Sequence, residues 1–143
     1  MSTLFENFFL GPIITRLNAL PVSGNTGDLK TIKTLVKALQ MEKKVVIFPE
    51  GLRTFDGKVG EIKPGIFLIA KKAKAPIVPV FIVGAYEAWP RKKLFPKPLG
   101  KTTVIFGEPI YPESYEHLEK QELSRTLKRA LETLSQTPAG SAK

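Results

Sequence analysis

The chain has 143 residues, 43% hydrophobic and 24% charged, a composition typical of one globular domain with a sizeable core. Its 22 Lys and Arg residues against 13 Asp and Glu residues give a formal charge of +9. That charge favours a polyanionic partner, which could be nucleic acid, anionic lipid or a phosphorylated metabolite. The sequence has no cysteine and only one histidine, His117. It therefore excludes thiolate catalysis and Cys- or His-rich metal sites within the sequence.

The first part of the chain is predicted to be helical and amphipathic. An apolar stripe at helical spacing, residues 4–9, is ended by Gly11-Pro12, and the apolar run to Leu17 is too broken to span a bilayer or to serve as a secretory signal. A turn-rich segment, residues 23–27, precedes a helix predicted from Asp28 to about Glu42. Its apolar stripe comprises Leu29, Ile32, Leu35, Val36 and Leu39.

The middle of the chain predicts strands alternating with a helix. The β-branched run Val45–Phe48 predicts a buried strand that Pro49 ends. A polar loop then leads to a helix that begins at Pro64, because proline is tolerated in a first helical turn. The apolar segment 76–83 predicts a second strand, and its prolines favour an edge position or a strand start.

The rest of the chain predicts a basic connection (Tyr86–Gly100), a third strand (Thr102–Phe106) and a helix from about Glu113 to Ser135. The inward face of that helix is predicted to comprise Leu123, Leu127, Leu131 and Leu134. The alternation predicts one α/β layered domain over residues 1–135, with a disordered tail at 136–143. Because only about four strands are readable and the chain opens in mid-pattern, the fold is expected to be incomplete at its N-terminus.

The segment Phe48-Pro49-Glu50-Gly51-Leu52-Arg53-Thr54 carries the chemistry. It follows a predicted strand, and ligands bind at such strand ends in α/β sheets. Gly51 allows close approach of the backbone to an anion, Arg53 can bind phosphate bidentately, and Lys63 adds a second cation beside a predicted helix start. Glu50 can orient Arg53 or accept from a substrate hydroxyl. An ordinary charged turn, with Glu50 and Arg53 as a surface ion pair, explains these residues equally well.

Three blocks in order, and a fourth segment upstream of them, resemble the 1-acylglycerol-3-phosphate (lysophosphatidic acid) acyltransferase family. Residues 48–54 resemble the family's FPEGTRS motif, and Ile62-Lys63-Pro64-Gly65 is similar to its Phe-Lys-x-Gly turn. Ile77-Val78-Pro79-Val80 resembles its later VPV block, and Gly11 to Val22 resembles the segment of its second block, although Gly24 stands where that block closes with arginine. The resemblance implies a glycerol-3-phosphate acyltransferase-like mixed sheet flanked by helices.

The resemblance also implies roles for individual residues. Members carry an acyl chain from acyl-CoA or acyl carrier protein, used as substrate with no further cofactor, to 1-acylglycerol 3-phosphate. By this resemblance Glu50, Gly51, Arg53 and Lys63 form the phosphate-binding loop. The lining of the site is then expected to comprise Phe48, Pro49, Leu52, Thr54, Ile77, Val78, Pro79 and Val80. No metal is implied.

The family's His-x-x-x-x-Asp motif, in which histidine is the general base, has no counterpart upstream of Phe48. His117 with Glu122 mimics its spacing but stands far downstream, so no catalytic residue is assigned within the chain. A truncated gene, a misplaced start codon and a split enzyme completed by a second chain would each explain the missing motif. The chain is therefore expected to be an acyltransferase domain that is inactive alone.

Two other functions would use part of the same sequence features. A non-catalytic module that binds lipid phosphate or anionic membrane would use the same loop and the same basic surface. A nucleic-acid binder is suggested only by charge and by the aromatic and basic residues of the connection, and no nucleic-acid fold pattern is present. We therefore expect lysophosphatidic acid, an acyl donor and an anionic membrane as partners, at the cytoplasmic inner face of the membrane, and no nucleic acid.

Overall fold

The computed structural model describes Arg16, residues 29–90, Lys93, Lys97 and residues 100–138. The apolar stripe at residues 4–9, part of the basic connection and the tail after Pro138 are outside the described residues. The chain comprises two compact units, Met1–Val46 and Ile47–Lys143. The predicted division into residues 1–135 and a tail stays a prediction.

Helix α1 (Leu29–Gln40) in the first unit confirms the predicted amphipathic helix. Ile32, Leu35, Val36 and Leu39 of the apolar stripe are half-buried, whereas the lysines of the helix are exposed. The helix ends where the Met41 N–H donates to the carbonyls of Lys37 and Ala38. Periodicity alone was sufficient here because one face of the helix is uniformly apolar.

The core of the second unit forms between helix α2 (Gly65–Ala73) and a long C-terminal helix, residues 120–135. Pro64 precedes α2 as predicted, and Lys74, in the left-handed conformation at φ 50°, closes its C-terminus. The core side chains are Ile62, Phe67, Ala70, Tyr115, Leu123, Leu127 and Leu131. The Tyr115 hydroxyl is fully buried within hydrogen-bond distance of the carbonyl oxygens of Ala70 and Ala75, and burial raises its pKa.

Strands β1 (Val80–Val83) and β2 (Thr103–Phe106) pair antiparallel, with Val80 opposite Phe106 and Val83 opposite Thr103. Ile77 continues the pairing through a bridge to Ile110. Buried Ile105 lies on one face of this sheet, and the C-terminal helix packs against β1. Between the strands, the short helix α3 (Ala85–Ala88) begins the connection that the sequence predicted as a loop.

The predicted strand Val45–Phe48 was wrong. These residues form no strand, and Val46 is 83% exposed. A strand exists only through hydrogen bonds to a neighbouring backbone, and the described strands pair only with each other in one two-stranded sheet. The β-branched run Val45–Phe48 therefore has strand composition but no strand partner among the described residues.

The sequence predicted one continuous helix from about Glu113 to Ser135, and that continuity was wrong. The helix is divided into α4 (Pro112–Tyr115) and α5 (Lys120–Ser135), with a turn at residues 116–119. The Lys71 ammonium donates to the carbonyl oxygens of Glu116 and Leu118, and Glu119 has extended backbone, at ψ 158°. Lys71 thus donates hydrogen bonds to carbonyl groups that would accept from backbone N–H groups in a continuous helix.

Candidate functional site

The candidate site is the segment of residues 48–63, here called the motif loop, which immediately precedes α2. The Gly51 N–H donates to the Phe48 carbonyl at 3.1 Å, which closes a turn through Pro49 and Glu50. The Lys63 N–H donates to the Pro49 carbonyl at 3.0 Å. The two ends of the loop are therefore joined by a backbone hydrogen bond.

Glu50 braces the inside of the motif loop. Its Oε2 accepts a hydrogen bond from the Gly60 N–H at 2.7 Å, in a partly buried position. A Cβ atom at residue 60 would lie only 2.6 Å from that oxygen, so a side chain there would displace the Glu50 carboxylate. This Glu50–Gly60 brace gives Glu50 a structural contact that the sequence did not predict, and its part in phosphate binding stays a prediction.

Gly51 and Lys63, both predicted site residues, are in contact. Gly51 has a φ of +70°, a backbone conformation that residues with a side chain rarely adopt. A Cβ atom there would lie 2.9 Å from the Lys63 ammonium nitrogen. Because Gly51 has no side chain, the exposed Lys63 extends directly over the glycine of the motif. The arrangement places the Lys63 ammonium group directly beside the Gly51 backbone.

The far end of the motif loop is ordered by a side-chain turn. The Thr54 hydroxyl accepts from the Gly57 N–H at 3.1 Å and donates to Asp56 Oδ1 at 3.2 Å. Asp56 Oδ1 also accepts from the Lys58 N–H at 3.1 Å. The hydrogen bond from the Lys58 backbone, followed by that from Thr54, lowers the pKa of Asp56. These bonds hold the loop without a ligand.

Arg53 extends from this ordered loop to an aromatic ring that the sequence did not assign to the site. Its guanidinium carbon lies over the Trp89 ring, 4.7 Å from the centroid. Trp89 was visible in the sequence as the single tryptophan, within an aromatic and basic connection. No spacing pattern links it to Arg53, because the contact arises only from the packing of α3 against the loop.

The motif loop is anchored to the core near its end. Ile62 is only 3% exposed, and its carbonyl accepts from the Ser124 hydroxyl of α5 at 2.9 Å. Val59 packs against the same core cluster. Helix α5 therefore fixes the position of the loop immediately before Lys63.

The predicted lining residues are in different environments. Phe48, Leu52, Val78 and Val80 are exposed, with Phe48 at 74%, whereas Pro49 and Thr54 are half-buried and Pro79 is buried. The Pro79 carbonyl accepts from the Gly107 N–H at 2.8 Å, and Ile77 pairs with Ile110. The segment 77–80 thus contributes to the sheet, and its predicted lining role stays a prediction.

His117 is exposed in the turn at residues 116–119, and Glu122 lies in the first turn of α5. Among the described residues, no group of His, Asp and Glu side chains is arranged to hold a metal ion. Neither observation assigns His117 to the motif loop.

Comparisons with known proteins connect this loop to one family. The profile of the family described as Acyltransferase matches residues 2–83, which include the motif loop and the VPV block. The 1-acyl-sn-glycerol-3-phosphate acyltransferase of Bacillus subtilis is 34% identical over 128 residues, covering 90% of this chain and 61% of the relative. A probable 1-acyl-sn-glycerol-3-phosphate acyltransferase of Mycoplasma pneumoniae is 30% identical, covering 73% of this chain and 44% of the relative.

The fold also matches a solved structure. The crystal structure of the 1-acyl-sn-glycerophosphate acyltransferase PlsC from Thermotoga maritima matches with a TM-score of 0.72 and 26% identity. The match covers 96% of this chain and 56% of that chain, and confirms the predicted α/β class. The chain thus spans between 44% and 61% of the length of these three proteins.

Proposed function

Since this chain belongs to the acyltransferase family, we propose that it is a phospholipid-biosynthesis domain for acyl transfer from acyl-CoA or acyl carrier protein to 1-acylglycerol 3-phosphate. The observation that carries the proposal is the geometry of the motif loop. Within the matched residues, the loop presents the Lys63 ammonium over Gly51, and Arg53 extends from the same braced segment.

The acceptor phosphate is the group that this loop would bind. A phosphate monoester is close to a dianion at neutral pH, and two cations on one loop match its charge. Arg53 offers a planar set of donors to two phosphate oxygens, and Lys63 offers a compact charge beside accessible backbone. Because the loop is braced and anchored before a ligand binds, little ordering of its backbone would oppose binding.

The acyl-transfer step needs a group outside this loop. The acceptor hydroxyl loses its proton as its oxygen attacks the thioester carbonyl, and the thiol of the donor leaves. A base must take that proton, and the sole histidine of the sequence, His117, is exposed in a turn far along the chain from the motif. We therefore propose that these 143 residues alone do not catalyse the reaction and that a further polypeptide segment supplies the base.

The membrane is the proposed source of the acceptor. Lysophosphatidic acid carries an acyl chain, and a protein of net charge +9 is attracted to the anionic inner face of a membrane. Among the described residues, no helix is long and apolar enough to span a bilayer. We propose peripheral association at the cytoplasmic face, with the acceptor taken from the lipid surface.

A second candidate function is a non-catalytic module that binds lipid phosphate. It is favoured by one observation: the sequence retains the predicted phosphate-binding residues without the histidine that the family's chemistry uses. Both functions require the same phosphate site, and they differ only in whether acyl transfer follows.

Calorimetry with glycerol 3-phosphate tests the phosphate site. Charge-assisted hydrogen bonds contribute about 1.5–3 kcal/mol each, so Arg53→Ala should weaken binding at least about tenfold. Arg53→Lys should recover only part of the affinity, because an ammonium cannot bind two oxygens in the same plane. Arg125, exposed on α5, is the matched control, and Arg125→Ala should change little. Equal losses for Arg53→Ala and Arg125→Ala would mean diffuse attraction and would contradict the site.

A further inference from the structure

Trp89 is fixed in place from two directions. Its backbone N–H donates to the Ala85 carbonyl at 3.1 Å, which ends α3, and its indole N–H donates to the Lys93 carbonyl at 3.0 Å. The connection is closed further where the Lys97 N–H donates to the Ala88 carbonyl at 2.7 Å. The half-buried ring is therefore fixed in position where the Arg53 guanidinium contacts it.

The same short helix contacts the motif loop at a second point. The Tyr86 ring packs on Gly57, where a Cβ atom would lie 3.5 Å from a ring carbon. Trp89 and Tyr86 thus hold two separate positions of the loop, Arg53 and Gly57, from one element. The beginning of the connection therefore contacts the motif loop at two positions.

We propose that Trp89 is a positioning residue for the acceptor phosphate and acts by holding the Arg53 side chain; this role rests on the proposed phosphate site. A free arginine side chain samples many rotamers and loses that freedom when it binds a ligand. Contact with a fixed ring removes part of that freedom beforehand. An aromatic ring carries no net charge, so unlike a carboxylate it does not neutralise the guanidinium that the phosphate dianion would meet.

The ring face and the indole N–H of Trp89 can be separated by substitution. Trp89→Phe keeps an aromatic face for Arg53 and loses the hydrogen bond to the Lys93 carbonyl, whereas Trp89→Leu loses both. If Trp89 serves only to anchor the connection, the two substitutions should be equally harmful. If it positions Arg53, phenylalanine should preserve most of the affinity and leucine should not.

The proposal is tested by titrating the full chain with glycerol 3-phosphate, followed by calorimetry and by tryptophan fluorescence. Trp89 is the single tryptophan, so its emission reports the Arg53 contact directly. Trp89→Leu should weaken binding about two- to fivefold, the range expected for an exposed cation–π contact, and Trp89→Phe less than twofold. In the ligand-free protein, Arg53→Ala should change the emission and Arg125→Ala should leave it unchanged.

The outcomes separate this role from the proposed function. Emission that is unchanged by Arg53→Ala, or equal losses for Trp89→Phe and Trp89→Leu, would overturn the positioning role while calorimetric binding remains intact. Absence of glycerol 3-phosphate binding to the unmodified chain would instead overturn the phosphate site on which the role rests. The emission experiment needs no substitution at Trp89, so it holds even where Trp89→Leu fails to fold.

Discussion

Replacing Gly60 with alanine perturbs the Glu50–Gly60 brace at one defined atom. The new Cβ would lie 2.6 Å from Glu50 Oε2, so the carboxylate would have to retreat by roughly 0.8 Å to reach ordinary van der Waals contact. A retreat of that size takes the 2.7 Å hydrogen bond from the Gly60 N–H beyond useful range. Gly60 does not have the positive φ of Gly51, so backbone strain does not add to the effect.

The expected magnitude follows from two opposing terms. A hydrogen bond to a charged group contributes about 1.5–3 kcal/mol, and the half-buried position of Glu50 favours the lower part of that range. Alanine in place of glycine restricts the unfolded chain and returns about 0.4–1 kcal/mol. Gly60→Ala should therefore lower the free energy of unfolding by about 0.5–1.5 kcal/mol.

A double-mutant cycle with Glu50→Ala tests whether the effect of Gly60→Ala on the free energy of unfolding arises from Glu50. Once the Glu50 carboxylate is removed, the same Gly60→Ala change should raise the free energy of unfolding by about 0.4–1 kcal/mol. Urea unfolding of the four chains, followed by circular dichroism, measures both steps. A Gly60→Ala loss of the same size in both backgrounds would refute the brace, because it would show that the alanine meets something other than Glu50.

Three further outcomes are expected. The purified chain should show no acyl transfer from acyl-CoA to 1-acylglycerol 3-phosphate, and turnover at ordinary enzymatic rates that survives His117→Ala would contradict the missing base. In flotation assays the chain should bind anionic vesicles at low salt and dissociate from them at high salt. Binding that is independent of the salt concentration would contradict an electrostatic attraction. Because hydrogen bonds lower the pKa of Asp56 in the folded state, its contribution to stability is present above the unfolded value and is lost as pH falls through the folded one. Asp56→Asn should therefore flatten the decline of stability below about pH 4, and an unchanged decline would argue against the Asp56 contacts.

The sequence predicted best the features that depend on neighbouring residues. Helices α1 and α2 follow from apolar periodicity and from Pro64, and both formed within a few residues of the predicted bounds. The turn at Pro49 and the special backbone of Gly51 likewise follow from local residue chemistry. Local signals suffice because each of these elements satisfies its own backbone.

Features that depend on distant partners could not be predicted. The run Val45–Phe48 has strand composition but no described strand to pair with. The break before α5 depends on Lys71, which is 45 positions from Glu116 in the sequence. The contacts of the site, Glu50 with Gly60 and Arg53 with Trp89, are made by side chains whose spacing follows no secondary-structure period. The sequence thus pointed to candidate residues in the motif loop, but it did not predict their contacts with Gly60 and Trp89.

The closed ends of the motif loop have a consequence for how this fold can diversify. Because the Lys63 N–H is bonded to the Pro49 carbonyl, and Val59 and Ile62 hold the end of the loop to the core, residues 52–58 can change in number without moving α2. Lengthening a loop is thermodynamically inexpensive, since doubling its length costs only about 0.6 kcal/mol. The core around Tyr115 and α5 would not need to repack. Such a change would be a local exchange of loop sequence on a retained scaffold.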